Sequence, residues 1–289
     1  MRSMTMVTSG SLAGVLGLAA SLLMPTTPTV AVTAEVADSI SLTGRIRDFP
    51  PESEHPDFTE GVSPSQTGRS AQNISLNLDG DHKPVYVGNG RRVNQEWRDA
   101  ANNKISWCAP GAPGDNAGSF QGNDNGAITS AATFSQWFRD VPGVNMSRMW
   151  TIALEPIGGG VYSYNVNNFH PIDSQLLGNG PDEHNFYFSY EIVCDFTYDS
   201  AANQFFFFRG DDDCWVFINN RLVIDHGGVV ANREQRIDLN RLGLTNGNEY
   251  QLHFFVAERK QPQSLFEIKT NIASLRTAGG NDAILAAYD

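Results

Sequence analysis

Asn203-Gln204-Phe205-Phe206-Phe207-Phe208-Arg209-Gly210-Asp211-Asp212-Asp213-Cys214-Trp215-Val216-Phe217-Ile218-Asn219-Asn220-Arg221-Leu222-Val223-Ile224-Asp225 reads as short strands separated by turns. Aromatic and β-branched side chains favour extended backbone. Asn219-Asn220 supplies the positive φ that a two-residue hairpin turn demands. Between the Phe run and the next strand stand three adjacent carboxylates, which repel one another by roughly 1 kcal/mol per pair in water and by more near apolar protein. Such a cluster at the rim of a sheet calls for a cation or a basic side chain. Oxygen-only ligands suit a hard divalent ion, calcium above all. The alternative is a solvated turn partly neutralised by Arg209.

Working outward, the same texture predicts strands over 149–156, 161–166, 186–198, 234–239, 249–257 and 264–271. In Tyr250, Leu252, Phe254 and Val256 apolar side chains alternate with Gln251 and His253, the pattern of a sheet with one buried face. Ile40 to Ile46 alternates too and reads as a first strand. Residues 60–130 are dense in Gly, Asn, Asp and Ser and are expected to be mostly loop. Phe134, Trp137 and Phe138 have helical spacing, which predicts one short helix within 130–140, ended before Pro142. Asn123-Asp124-Asn125-Gly126 has the start of a calcium loop but not its downstream Glu. The fold class expected is all-β, a β-sandwich with a loop-rich N-terminal elaboration and one short helix.

The chain has 289 residues, 27 Gly, 14 Pro and a formal charge of −12. That balance excludes nucleic acid and anionic lipid as natural partners. Residues 1–34 resemble an export signal, with Arg2, a short uncharged apolar stretch to Met24, and Val32-Thr33-Ala34 as a small-residue site. The apolar run is short for a membrane span, so a secreted or cell-surface protein is expected, with 35–39 as a lead-in. Of the three cysteines, Cys194 and Cys214 flank the acidic hairpin and are the best candidate pair; free buried thiols are the alternative to a disulfide among them and Cys108.

Gly210-Asp211-Asp212-Asp213-x-Trp215-Val216-Phe217-Ile218-Asn219 resembles the signature of fibro-slime domain proteins. Leu222-Val223-x-Asp225-x-Gly227-Gly228, Leu242-Gly243-Leu244, Ala257-Glu258-Arg259 and Leu42-Thr43-Gly44-x-Ile46-Arg47-Asp48-Phe49 do so as well. The resemblance implies one domain over 40–277, with a PA14-like β-sandwich core at about 130–277 and a tail at 278–289. It also implies that Asp211 and Asp212 are calcium ligands joined by a cis peptide, and that this ion takes sugar hydroxyls. The second ligand loop falls on Arg259 to Ser264, so Gln261 and Gln263 are the further candidate ligands. Asp211, Asp212, His226 and Lys260 are the candidate sugar-binding residues. Glu258-Arg259 is expected to be an ion pair that fixes the loop, and Trp215 a core residue.

The function expected is calcium-dependent carbohydrate binding, as an adhesin or matrix protein with a surface glycan as partner. A structural module is the alternative. A glycosidase needs two carboxylates held apart across a cleft, for which Glu191 or Asp195 are the available partners. No other catalytic motif is present, so no enzyme and no catalytic residues are expected.

Overall fold

Side-chain alternation sets the strands, and the two apolar faces it creates set the layers. The structure is a computed structural model that describes residues 38–50, 55–61 and 67–279. The expected signal at 1–34 and the tail from 280 onward lie outside the described residues. The N-terminal part contributes β1 (Ile40–Asp48), β2 (Ser70–Ala71), β3 (Arg91–Gln95), β4 (Trp97–Arg98), β5 (Lys104–Ile105), β6 (Ser119–Asn123) and α1 (Ala131–Phe134). Then follow β7 (Met146–Gly158), β8 (Val161–Val166), β9 (Phe188–Thr197), β10 (Phe205–Gly210), β11 (Asp213–Ile218) and β12 (Arg221–His226). The last are β13 (Arg233–Asp238), β14 (Glu249–Glu258), β15 (Phe266–Thr270) and β16 (Arg276–Thr277).

The sandwich strands run in the order β12-β11-β14-β9-β1-β7-β8-β15-β10-β13, with β16 on β9. The long β7 takes part in both leaves, and the sheet folds back on itself there. Phe208 on β10 meets Phe254 on β14 with ring centroids 5.6 Å apart, and Phe266 joins them. Ile192, Val216, Ile237 and Ile268 fill the same interior, each 0–1% exposed. The expected all-β sandwich is what the chain forms.

Two boundaries differ from the sequence reading. The sandwich begins at Ile40, not near residue 130, because β1 lies inside the sheet between β7 and β9. Gly44 permits this insertion: a Cβ there would lie 2.1 Å from the Glu191 carbonyl oxygen. The helix is one turn long, capped by the Ser130 hydroxyl, and the chain leaves it in turns. Its aromatic residues serve a second core on the outer face of the first leaf. There Phe49, Phe58, Phe134, Trp137 and Phe138 bury Trp215, Phe217, Leu222 and Phe255. The loop-rich residues before the helix thus cover a sheet face that would otherwise be apolar and open.

Cys108, Cys194 and Cys214 are all free and buried. The candidate pair cannot bridge, since β14 lies between β9 and β11. Two strand spacings amount to about 9.5 Å, beyond the reach of a disulfide. Among the described residues no helix is long and apolar enough to cross a membrane.

Next to Glu191 the first leaf buries His253, which is 4% exposed and stacks on His82. Burial pushes the His253 imidazole down from 6.5 to about 4. The unfolded chain therefore takes up this proton first. Stability present above pH 6.5 is lost as pH falls toward 4, by about 2–3 kcal/mol for this residue. His253→Gln is expected to flatten that part of the stability profile, read as the urea midpoint at each pH; an unchanged slope would assign the acid sensitivity elsewhere.

Candidate cation and ligand site

The acidic run forms the turn from β10 to β11, and its three side chains take different directions. Asp213 is fully buried and turns inward, accepting from the Gly228 amide at 2.5 Å and from Arg259 Nε at 2.6 Å. Gly228 holds φ +100, and a Cβ there would lie 2.4 Å from the Gly68 carbonyl oxygen, so only glycine brings that amide in. Asp212 accepts from the Val230 amide at 2.9 Å and the Arg259 amide at 3.2 Å. Asp211 Oδ1 accepts from the Leu265 amide at 2.6 Å, while its buried Oδ2 has no hydrogen-bond partner. The Asp211–Asp212 peptide bond is cis.

Asp211 and Asp212 line one open cleft of about 330 Å³ together with Lys260, Gln261, Pro262 and Gln263. Its other wall is Gly68 and the Val229–Ala231 segment. The acidic turn and the β14–β15 loop, distant in sequence, therefore face each other across solvent. Gln261 and Gln263 are exposed there, with amide oxygens free to turn toward the aspartates.

Glu258 lies at the end of β14, 1% exposed, and both its carboxylate oxygens lack a hydrogen bond. The nearby Ser264 hydroxyl donates to the Phe169 carbonyl instead. Burial raises Asp211 to about 6. Asp212 is raised well above the carboxylate range by burial and by its neighbours Asp213 and Asp211, against the pull of Arg259. Burial and the two aspartates raise Glu258 in the same way. A group of acids that shed their charge when alone is a group that a cation would stabilise.

Arg259 neutralises Asp213, but the two other basic side chains near the run, Arg209 and Lys260, are committed elsewhere. Arg209 pairs with Glu267 at 2.7 Å. Lys260 lines the cleft but directs its ammonium to Glu60, at 2.8 Å from both a carboxylate oxygen and the main-chain carbonyl. The solvated-turn alternative fails on this point, because Asp211 and Asp212 are 4% and 3% exposed and neither cation reaches them.

Two sequence expectations need correction. Arg259 pairs with Asp213 and not with Glu258: it lies one residue beyond the end of β14, and its guanidinium is held by Asp213 and by the Gly126 and Ala127 carbonyls. His226 is fully buried at the end of β12 and lines no part of the cleft, so it does not reach a sugar at the surface. Asp225 is likewise inside, accepting from the indoles of Trp107 and Trp215. The partial calcium loop at Asn123–Gly126 is a structural latch: Asp124 is held by Arg92, and the Gly126 carbonyl accepts from Arg259. Trp215 is a core residue, as expected.

Sequence reasoning missed Glu60, which anchors the β14–β15 loop through Lys260 and the Gln261 amide. No local signal marks it, because the contact spans two hundred residues of chain.

Residues 155–282 match the family model described as PA14 domain. Among curated proteins, Protein psiD of Dictyostelium discoideum is 37% identical over 174 residues, covering 57% of this chain and 34% of psiD. Protein psiQ of the same organism is 39% identical over 160 residues, covering 50% and 16%. Protein psiC, also from Dictyostelium discoideum, is 32% identical over 247 residues, covering 81% and 41%. The chain thus spans less than half the length of each of these relatives. A solved GH31 alpha-xylosidase from Xanthomonas citri aligns over 84% of this chain and 26% of its own, at 9% identity and a TM-score of 0.14, too slight a likeness to carry an argument.

Proposed function

We propose, on the premise that this chain carries a PA14 domain over residues 155–282, that the cleft is an extracellular, calcium-dependent carbohydrate-binding site. One observation carries the reading: Asp211 and Asp212 meet the Gln261–Gln263 loop on one open cleft, and a buried Asp211 oxygen there has no partner. The donor set fits a hard cation, being all oxygen, two carboxylates with side-chain amides opposite. Asp211, Asp212, Gln261 and Gln263 would hold the ion. Bound calcium offers vacant coordination positions that accept neighbouring sugar hydroxyls. The protein's own part is to fix Asp212 through two backbone amides, to anchor the opposite loop on Glu60, and to present Val230 and Pro262 to the apolar face of a ring.

Among the described residues that line this cleft, a hydrolase reading finds no acid besides Asp211 and Asp212. Glu191 is buried and bound by Lys83 at 2.5 Å and Arg47 at 3.1 Å; these cations hold it below the carboxylate range despite burial. Asp195 lines a different cleft with His82 and Tyr250. Glu258 does not reach the surface of this one.

An ion that supplies much of the contact leaves affinity for one sugar weak, so adhesion through this site relies on several copies acting together. A glycan array run in calcium and again in chelator tests the reading. Binding is expected in calcium only, and Asp211→Ala is expected to abolish it while circular dichroism in calcium stays that of the folded chain. Binding that survives both treatments would place the sugar elsewhere. No glycan bound by a calcium-loaded protein would leave the site a structural role.

A further inference from the structure

The segment between β8 and β9 carries a second constellation, apart from the acidic turn. His170, Asp173 and His184 each bring one donor atom within 4.8 Å of the others, and all three are partly exposed. The segment is pinned at its start: the Phe169 amide donates to the Ser264 carbonyl at 2.8 Å, and the Ser264 hydroxyl donates back to the Phe169 carbonyl at 2.7 Å. Phe169 and Ile172, 4% and 0% exposed, anchor the turn between the first two residues in the core.

One fully buried residue, Asn185, orders the group. Its carbonyl oxygen accepts from His170 Nδ1 at 3.2 Å, which fixes the proton on that nitrogen and leaves the Nε2 lone pair free. Its amide donates to Asp173 Oδ1 at 2.8 Å. Its own side chain is tied to Asp48 Oδ1 at 2.8 Å and to the Gly178 carbonyl at 3.0 Å. Asp173 Oδ2 meets His184 Nδ1 at 2.6 Å, and the two imidazoles stack with centroids 4.2 Å apart. Phe186 closes one side, edge-on to both rings.

Hydrogen bonds from the far nitrogen of a histidine to a backbone carbonyl, and from a backbone amide to the far oxygen of a carboxylate, are the outer contacts that orient metal ligands. Two imidazoles and one carboxylate, open to solvent on one side, are the ligand types of zinc's three-ligand sets with a water in the fourth position. Because an imidazole binds in its own plane, the partly exposed His184 would swing out of its stack on His170, where the rings lie 3° from parallel, to share the ion. The same set is poor for calcium, which takes six to eight oxygens. We propose that His170, Asp173 and His184 form a site for a first-row transition ion, zinc above all, independent of the acidic cleft.

The test uses the whole folded chain, freed of any affinity tag and stripped with chelator. Cobalt(II) is added as a spectroscopic probe. One equivalent is expected to give the visible absorption of a low-coordinate nitrogen and oxygen site, displaced by zinc and unaffected by excess calcium. His184→Gln and Asp173→Asn are each expected to weaken binding by more than the ~10- to 100-fold that loss of an outer contact alone costs a metal site. Asp211→Asn is expected to leave it unchanged, which separates this proposal from the calcium reading. Because a variant can lose its fold, the wild-type chain gives a second readout: zinc should move the ring nitrogens of His170 and His184 in long-range ¹H–¹⁵N spectra and leave those of His226 and His253 in place. No cobalt or zinc bound in excess metal, or shifts confined to other histidines, would overturn the proposal.

Discussion

Arg259→Met is expected to destabilise the chain by about 3–5 kcal/mol, the cost of stranding one member of a buried ion pair. The guanidinium is 0% exposed and lies 2.6 Å from Asp213, itself 0% exposed. It also donates to the carbonyls of Gly126 at 2.7 Å and Ala127 at 3.0 Å, and rests over the Trp137 ring at 4.7 Å. Its loss leaves a buried charge and orphaned carbonyls, and frees the 124–128 loop from the sandwich. Urea unfolding measures the cost, and limited proteolysis should show new cutting in that loop. Adding Asp213→Leu to Arg259→Met is expected to recover part of the loss, because the stranded charge then disappears. A single-variant cost under about 1 kcal/mol would mean that water reaches Asp213 and that the pair is not the latch.

Calcium is expected to reverse the effect of Asp212→Asn on stability. Two carboxylates with neutral oxygens give sites of about 0.1–1 mM affinity. An ion that binds only the folded chain adds about 2.7 kcal/mol at a hundredfold excess over its dissociation constant, or ~5–10 °C in Tm for a domain of this size. In calcium the wild type should therefore melt above Asp212→Asn. In chelator the order should invert or vanish, since the variant removes a carboxylate that burial, Asp213 and Asp211 all disfavour. Melting curves that ignore calcium in both proteins would count against any ion at this turn.

The strands were legible because burial on one face imposes a period of two, and Tyr250 to Val256 display it plainly. The Asn219-Asn220 turn was legible for a different reason: both residues hold positive φ, at 52° and 60°, which asparagine tolerates. What failed was judged from sequence neighbours alone. Glu258 and Arg259 look like a pair on paper, yet Arg259 lies just past the end of β14 and is drawn to Asp213 and to the Gly126 and Ala127 carbonyls. Those partners are distant in sequence, and no local signal marks them. His226 is a candidate sugar-binding residue on sequence, although Leu222, Val223 and Ile224 already announce a buried strand that ends on it. The role of Glu60 and the three-residue cluster around Asn185 rest on contacts between loops, and loops carry no periodicity from which to infer them.

The place of β1 has a practical consequence for how this chain is made and cut. Arg45 pairs with both Met149 and Glu191, so β1 cannot find its seat until two strands synthesised after it exist. Until then β1 is an alternating, β-prone segment without a partner, and the nascent chain is exposed to mispairing. The stretch that carries the family's statistical signature starts at Glu155, inside β7, and leaves β1 out. An expression fragment trimmed to that stretch would lose β1 together with Met146–Leu154, the part of β7 that pairs with it, would leave unpaired backbone along β9, and should aggregate. A chain that lacks β1 but keeps β7 whole would instead hold a slot between β7 and β9, which residues 38–49 supplied as a separate peptide should fill, making β1 a natural handle for split-protein complementation.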